Sequence, residues 1–313
     1  RDRIEMPRIH FTADGFRVKG SCDLLDIRSG DLHIRARAST EPFILENLRQ
    51  WIPYGIIAKD ASEWIEEHII GGTFRLETGT LDGRVSQIVQ MEKGTNYNVL
   101  HIKGTVEKGI VSYGKDVPQF ANIRAGLEML GKDFILSSVT ATFGGSPFKM
   151  EGRITDYPLN GPCQYPFQME MVPRGPEVAW ISRFAGLERL DFSGNSKLVL
   201  KGGGIIPAYN LSGEWELRQA AYSFPFAVKK APGMPSRLSF SAVLGRDATR
   251  ITSLSYVLPP LNLSATALLK YGKRPNLDFE LQTNQFMLNE RLPILVDWQK
   301  YKPRGRVQAH VSA

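Results

Sequence analysis

Residues Asp60 to Asp82 read DASEWIEEHIIGGTFRLETGTLD, and this stretch sets the grammar of the whole chain. Asp60 and Glu63 have the spacing of a capping box, in which each carboxylate accepts from an otherwise orphaned backbone N–H. Ala61, Trp64, Ile65, His68 and Ile69 follow at i, i+3, i+4, i+7 and i+8, which predicts one apolar helix face. Gly71 and Gly72 stand where a left-handed helix stop is expected. The period then changes from helical to two, and Phe74 and Leu76 open a strand.

The same unit recurs. GPEVAWISRFAG at Gly175 to Gly186 predicts a second helix, with Val178, Ile181 and Phe184 on one face. ERLPILVDWQKYKPRG at Glu290 to Gly305 predicts a third. Their tryptophans, Trp64, Trp180 and Trp298, lie 116 and 118 residues apart. Gly104 and Tyr113 reappear as Gly213 and Tyr222, and Tyr157 as Tyr271. Landmarks that keep their order while the spacing drifts indicate a repeat of about 115 residues. The expected organisation is therefore 1–58, the end of a preceding β repeat plus a short helix; 59–174, a β repeat; 175–288, a second; and 289–313, the start of a third.

Between the helical stretches the text alternates. Leu100, Ile102, Gly104 and Val106 oppose His101, Lys103, Thr105 and Glu107. Ile135, Val139, Ala141 and Phe143 are expected on one face, followed by a turn at Phe143 to Pro147. Phe148 and Met150 then alternate with Lys149 and Glu151, and Phe167 and Met169 with Gln168 and Glu170. Leu211, Gly213 and Trp215 alternate with Ser212, Glu214 and Glu216; Leu263 and Phe279 belong to later strands of the same kind. Long alternating strands with short turns mean an antiparallel sheet with one apolar and one polar face. Helical text is scarce: Glu41–Trp51, Ala61–Ile70, Pro176–Ala185 and Leu292–Lys300. So little helix leaves the apolar face to be hidden by a sandwich, a closed barrel or a curled trough with a foreign filling. Alternation alone puts the sandwich first.

Bulk properties narrow the function classes. A chain of 313 residues with 42% hydrophobic and 23% charged residues has the composition of a folded protein. The net charge of +7 fits a mixed solvated surface, with anionic partners such as lipid headgroups as the rival. No basic run resembles a nucleic-acid arm. Cys22 and Cys163 lack metal spacing and read as small core residues. The five histidines fall in no metal motif, and no serine-hydrolase elbow, phosphate loop or dinucleotide fingerprint occurs. These observations argue against catalysis and assign no catalytic or metal-binding residue. His68, on the apolar helix face, reads as a satisfied core histidine. The chain opens and closes in strand-like text, which reads as a piece of a longer protein.

WIEEHIIGGTFRLETGTLDGRV at Trp64 to Val85 resembles the helix, double glycine and strand signature of the AsmA-like proteins of Gram-negative bacteria, nearest the YhdP and TamB type of bridge-like lipid transfer protein. The text from Asn98 to Pro158 continues the resemblance, and GGGIIPAYNLSGEWELRQAAYSFP at Gly202 to Pro225 is similar to the C-terminal repeat. The resemblance as a whole covers Leu32 to Leu281. The resemblance implies a mostly β, long antiparallel, curled groove with a few short helices at repeat junctions. It implies a periplasmic segment of an envelope-spanning protein, anchored in the inner membrane by a helix absent from this sequence. It implies a hydrophobic groove that carries phospholipid between inner and outer membranes without a cofactor. The expected lipid-binding residues are Leu100, Ile102, Val139, Phe143, Phe148, Met150, Phe167, Met169, Leu211, Trp215, Leu263 and Phe279. Trp64, Trp180 and Trp298 are expected as packing anchors between helix and sheet. The competing expectation is a structural or ligand-binding β-sandwich or solenoid with a dry core.

Overall fold

A computed structural model of the chain describes residues 2–13, 15–44, 59–157, 159, 161–184, 187–225, 227–272, 276–288, 301–302 and 304–312. The chain divides into two compact units. Unit 1 is Arg1–Phe143 with Lys149–Tyr165, and unit 2 is Gly144–Phe148 with Pro166–Ala313. Both are built of antiparallel strands with few and short helices, the fold class expected from the alternation.

Unit 1 is a meander. Its strands are β1 (Arg3–Ala13), β2 (Phe16–Leu25), β3 (His33–Thr40), β4 (Phe43–Ile44), β5 (Ile69–Arg84), β6 (Leu100–Val111), β7 (Phe120–Leu130), β8 (Asp133–Phe143) and the greater part of β9 (Ser146–Thr155). Each long strand pairs with the next, and β3 and β4 share one flank of the 16-residue β5. Helix α1 (Lys59–His68) leads directly into β5, and the four-residue α2 (Val85–Ile88) follows it.

Three local expectations are corrected here. Phe43 and Ile44 form a strand, not the start of a helix, because the Phe43 ring finds partners across the sheet: Phe74 at 6.3 Å and Phe16 at 5.1 Å. Glu41 and Pro42 are not helical either, and residues 45–51 of the expected helix lie outside the described residues, as do the Leu292–Lys300 helix and the Asp60 side chain. Gly71 and Gly72 do not stop a helix. They sit inside β5 at two register shifts, with Gly72 at φ 138°. A Cβ on Gly72 would meet the Cα of Gly109 on β6 at 2.9 Å, so the glycine serves close strand approach rather than capping. Finally, Ile135 pairs with Glu128 on the polar face, whereas Val139, Ala141 and Phe143 are on the apolar one. Ser138, at φ 50°, is a bulge residue that resets the parity of β8 between them.

Unit 2 carries a second meander. It runs β10 (Phe167–Met171), β12 (Lys197–Ile205), β13 (Ala208–Glu216), β16 (Arg237–Leu244), β17 (Ala248–Leu258), β18 (Leu261–Lys270), β19 (Asn276–Thr283) and β22 (His310–Ser312). Helix α3 (Gly175–Phe184) follows β10. A separate three-stranded sheet is formed by β11 (Asp191–Gly194), β14 (Ala220–Phe224) and β15 (Val228–Lys230). β20 (Phe286–Leu288) and β21 (Gly305–Val307) make a two-stranded one.

The sandwich that alternation alone ranks first is not the observed solution. Among the described residues, the sheets besides the meanders have three strands and two strands. Among the described residues neither meander closes: β1 pairs with β2 alone, and β22 with β19 alone. The sheets are open and curled, with bulges in β1, β5, β6, β7 and β17 bending them.

Candidate functional site

Register places the apolar residues of unit 2 in rows that cross the sheet, because directly paired residues point to the same face. One row is Met169–Leu200–Gly213–Phe240–Leu254–Ala265–Leu281–Val311, an apolar residue or glycine on every one of eight strands. The next is Phe167–Gly202–Leu211–Ala242–Ile251–Ala267–Phe279. The opposite face reads Glu170–Val199–Glu214–Ser239–Ser255–Ser264–Gln282–His310, polar at all but one position. Phe167, Met169, Leu211, Leu263 and Phe279 are therefore brought onto one face, and each is half-buried.

Two glycines shape that face. A Cβ on Gly213 would strike the Phe240 ring, 2.6 Å from its Cζ, and a Cβ on Gly202 would strike Phe167, 2.8 Å from its Cδ1. Both rings thus lie over neighbouring glycines instead of standing off the sheet. Phe167 is stacked on Tyr209 as well, at 6.5 Å and 7°.

One end of the same face is covered. Trp215 belongs to the row Met171–Leu198–Trp215–Leu238–Tyr256–Leu263, but its ring packs on Phe192 of the small sheet at 5.4 Å. Together with Val178 of α3, Leu217, Ala220 and Tyr222 it forms a dry core. Trp215 is a packing residue here, unlike Phe167, Met169, Leu211, Leu263 and Phe279. At the end of β15 in the small sheet Lys230 is 2% exposed, and its Nζ donates to the carbonyls of Leu217 (2.7 Å), Arg218 (2.8 Å) and Ala220 (2.6 Å). Burial pushes its ammonium below the usual lysine range. Tyr222 hydrogen-bonds Ser236 and Tyr256, and burial raises both phenols. Glu177, on the first turn of α3, accepts from the backbone N–H of Gly145 (3.0 Å) and the hydroxyl of Ser146 (2.7 Å), fixing the turn before the buried Phe148.

Unit 1 repeats the pattern with smaller side chains. Its rows are Ile9–Gly20–Ala38–Gly79–Ile102–Met129–Phe134, Met6–Cys22–Ala36–Leu81–Leu100 and Leu76–Gly104–Leu127–Leu136. Leu100 and Ile102 are half-buried on this face, Val139 and Phe143 are buried, and Met150 is half-buried between exposed Lys149 and Glu151. Gly104 and Gly213 occupy matching places, each in the second long strand after a helix and each paired with a leucine before it. At the α1 end the face finishes in a file of rings: Trp64–His68 (5.5 Å), His68–Tyr113 (4.5 Å), Tyr113–Phe120 (6.2 Å) and Phe120–Phe143 (4.9 Å). His68 is satisfied as expected, its Nδ1 lying 2.9 Å from the Ser112 carbonyl. Trp64 is 41% exposed, more than a buried anchor would be.

The ionisable groups of unit 1 pair across the polar face and at strand ends. The Asp82 carboxylate accepts from His33 Nε2 (2.7 Å) and Arg35 Nε (3.0 Å), and the His33 bond holds it below the ordinary carboxylate range. Lys132 and Asp156 sit 2.7 Å apart, which raises the one and lowers the other. Burial pushes the Tyr157 phenol up to about 12. Cys22 and Cys163 are free thiols. Among the described residues no group of three or more His, Cys, Asp or Glu could hold a metal, and no helix is long and apolar enough to cross a membrane. Compared with protein-family models, curated proteins and solved structures, the chain matches none.

Lys230, Glu177 and the Tyr222–Ser236–Tyr256 cluster escape sequence reasoning. A buried lysine or glutamate is written with the same letter as a solvated one, and their carbonyl and N–H partners carry no sequence signal.

Proposed function

We propose that this chain is a segment of an envelope-spanning lipid transfer protein, in which the apolar face of each unit shields phospholipid acyl chains during passage between inner and outer membranes. The observation that carries the reading is the set of apolar rows in unit 2, continuous over seven and eight strands, in which every residue but Gly213 and Ala242 is left at least partly exposed by the described residues. Only sixteen apolar side chains are buried among the described residues.

The energetics suit an acyl chain. Each CH₂ transferred to water costs about 0.8 kcal/mol, so a sixteen-carbon tail crossing bare faces roughly 12 kcal/mol. A continuous apolar floor removes most of that barrier, while the headgroup stays in water and needs no fixed polar pocket. Such carriage requires no catalytic residue and no cofactor in the groove. The setting that fits is the periplasm, with the parent chain held at the inner membrane by a segment outside this sequence.

Native mass spectrometry of the purified chain tests the proposal. The expected result is copurified phospholipid, lost in Leu211→Asp and Leu281→Asp but kept in the polar-face control Ser212→Asp, with all three variants folded. Lipid-free wild-type protein that also fails to take up phospholipid from vesicles overturns it and leaves a structural β module.

A further inference from the structure

Three bulges line up on neighbouring strands of unit 1. Lys108 (φ 53°) on β6, Asn122 (φ 55°) on β7 and Ser138 (φ 50°) on β8 all adopt the left-handed conformation that disfavours side chains. They account for half of the six non-glycine residues with positive φ among the described residues. Bulges re-aim side chains, and clustered strain of this kind marks sites where geometry matters more than ladder regularity.

Two of the bulge residues, Lys108 and Asn122, line an open depression of about 530 Å³. Arg124 and Thr140, paired across β7 and β8, and Thr142, paired with Ala121, bring it to the polar face. Lys108 and Asn122 complete its rim, and Ile110, Ala121 and the buried Ala141 line it as well. Its polar side chains are therefore an ammonium, a guanidinium, an amide and two hydroxyls, and no carboxylate is among the lining residues. Neither the Lys108 nor the Arg124 side chain has an ion-pair or hydrogen-bond partner among the described residues.

We infer that this depression is an oxyanion site that takes a phosphate group, on the opposite face of the sheet from the apolar rows. A guanidinium offers a planar fork to two phosphate oxygens, the ammonium adds a point charge, and threonine hydroxyls donate to the remaining lone pairs. The phosphate can belong to a lipid headgroup or to a soluble ester; the recognition chemistry is shared. A depression in unit 2 of about 490 Å³ supplies the internal contrast, since it holds one cation, Lys201.

The test uses the whole chain at low salt. Inorganic phosphate is titrated into isotope-labelled protein, and vesicles of phosphatidylglycerol or of phosphatidylcholine are floated with it. Saturable amide shifts at Asn122, Thr140 and Thr142 are expected, weakened about tenfold in Lys108→Gln/Arg124→Gln, as loss of charge-assisted hydrogen bonds requires. The control Lys103→Gln/Lys201→Gln removes equal charge and should leave the shifts unchanged. Flotation with phosphatidylglycerol alone, lost in the first double variant, assigns the phosphate to a headgroup; phosphate shifts without flotation assign it to a soluble ester. Absent shifts, or equal weakening in both double variants, overturn the site. Because the apolar face is untouched, copurified acyl lipid is unaffected by either result.

Discussion

Unit 2 presents one apolar sheet face in two conditions. Where the row reaches Trp215, Leu238 and Tyr256, the small sheet and α3 close over it, and Ala220 and Leu217 are buried. Elsewhere on the same face, Leu211 of β13, Ala267 of β18 and Phe279 of β19 stay half-exposed. Composition does not separate the two conditions, since both are leucine, alanine and aromatic in alternation. The covering layer separates them, and it is held by polar anchors as much as by packing. The lesson is that an alternating strand fixes which face is apolar, while cover decides whether that face is a core or a surface.

Three measurements break or sharpen this contrast. The largest effect is expected from Lys230→Ala, which strands three carbonyls inside the covered end; a loss of about 3 kcal/mol or more in urea unfolding follows from leaving buried acceptors unsatisfied. A loss well below 1 kcal/mol would mean that the small sheet does not depend on this anchor. Next, Leu217→Ala should cost about 3 kcal/mol and Leu211→Ala under about 1 kcal/mol, since a cavity penalty needs walls on both sides. Equal costs would show that the open rows are packed after all. The smallest effect is in alkali. Tyr222 and Tyr256 have folded pKa values raised above 10.0 by burial. They hold protons that the unfolded chain releases, so their contribution is fully present below pH 10 and is lost as pH rises through the folded values. Thermal melts across that window should fall less steeply in Tyr256→Phe, and an unchanged slope would place the alkaline loss elsewhere.

Much of the fold was legible because alternation has a strict period. Leu100, Ile102, Gly104 and Val106 face as their spacing requires, and so do Leu211 and Gly213. The misreadings occur where one residue breaks the period. Ser138 turns β8 over without a glycine or proline to announce it, so Ile135 is misassigned. Gly71 and Gly72 carry the letters of a helix stop, yet strand contact with Gly109 uses them differently. Phe43 sits in helix-compatible text and is claimed by Phe74, a partner 31 positions away. For the candidate site, register and face were readable, but the covering of Trp215 was not. It depends on β11, β14 and β15, which have four, five and three residues. Segments that short are below the length at which periodicity carries information.

Phe167 and Phe240 are laid over Gly202 and Gly213. Upright rings would divide the floor into compartments, and a guest would have to climb from one to the next. Prone rings leave low relief, so an alkyl tail exchanges one set of dispersion contacts for an equivalent set as it shifts. On the proposed lipid carriage, such a surface would hold hydrocarbon without choosing a resting place for it, which favours sliding over storage. Filling either glycine with a larger residue would raise a post in the path, turning a track into a series of stops.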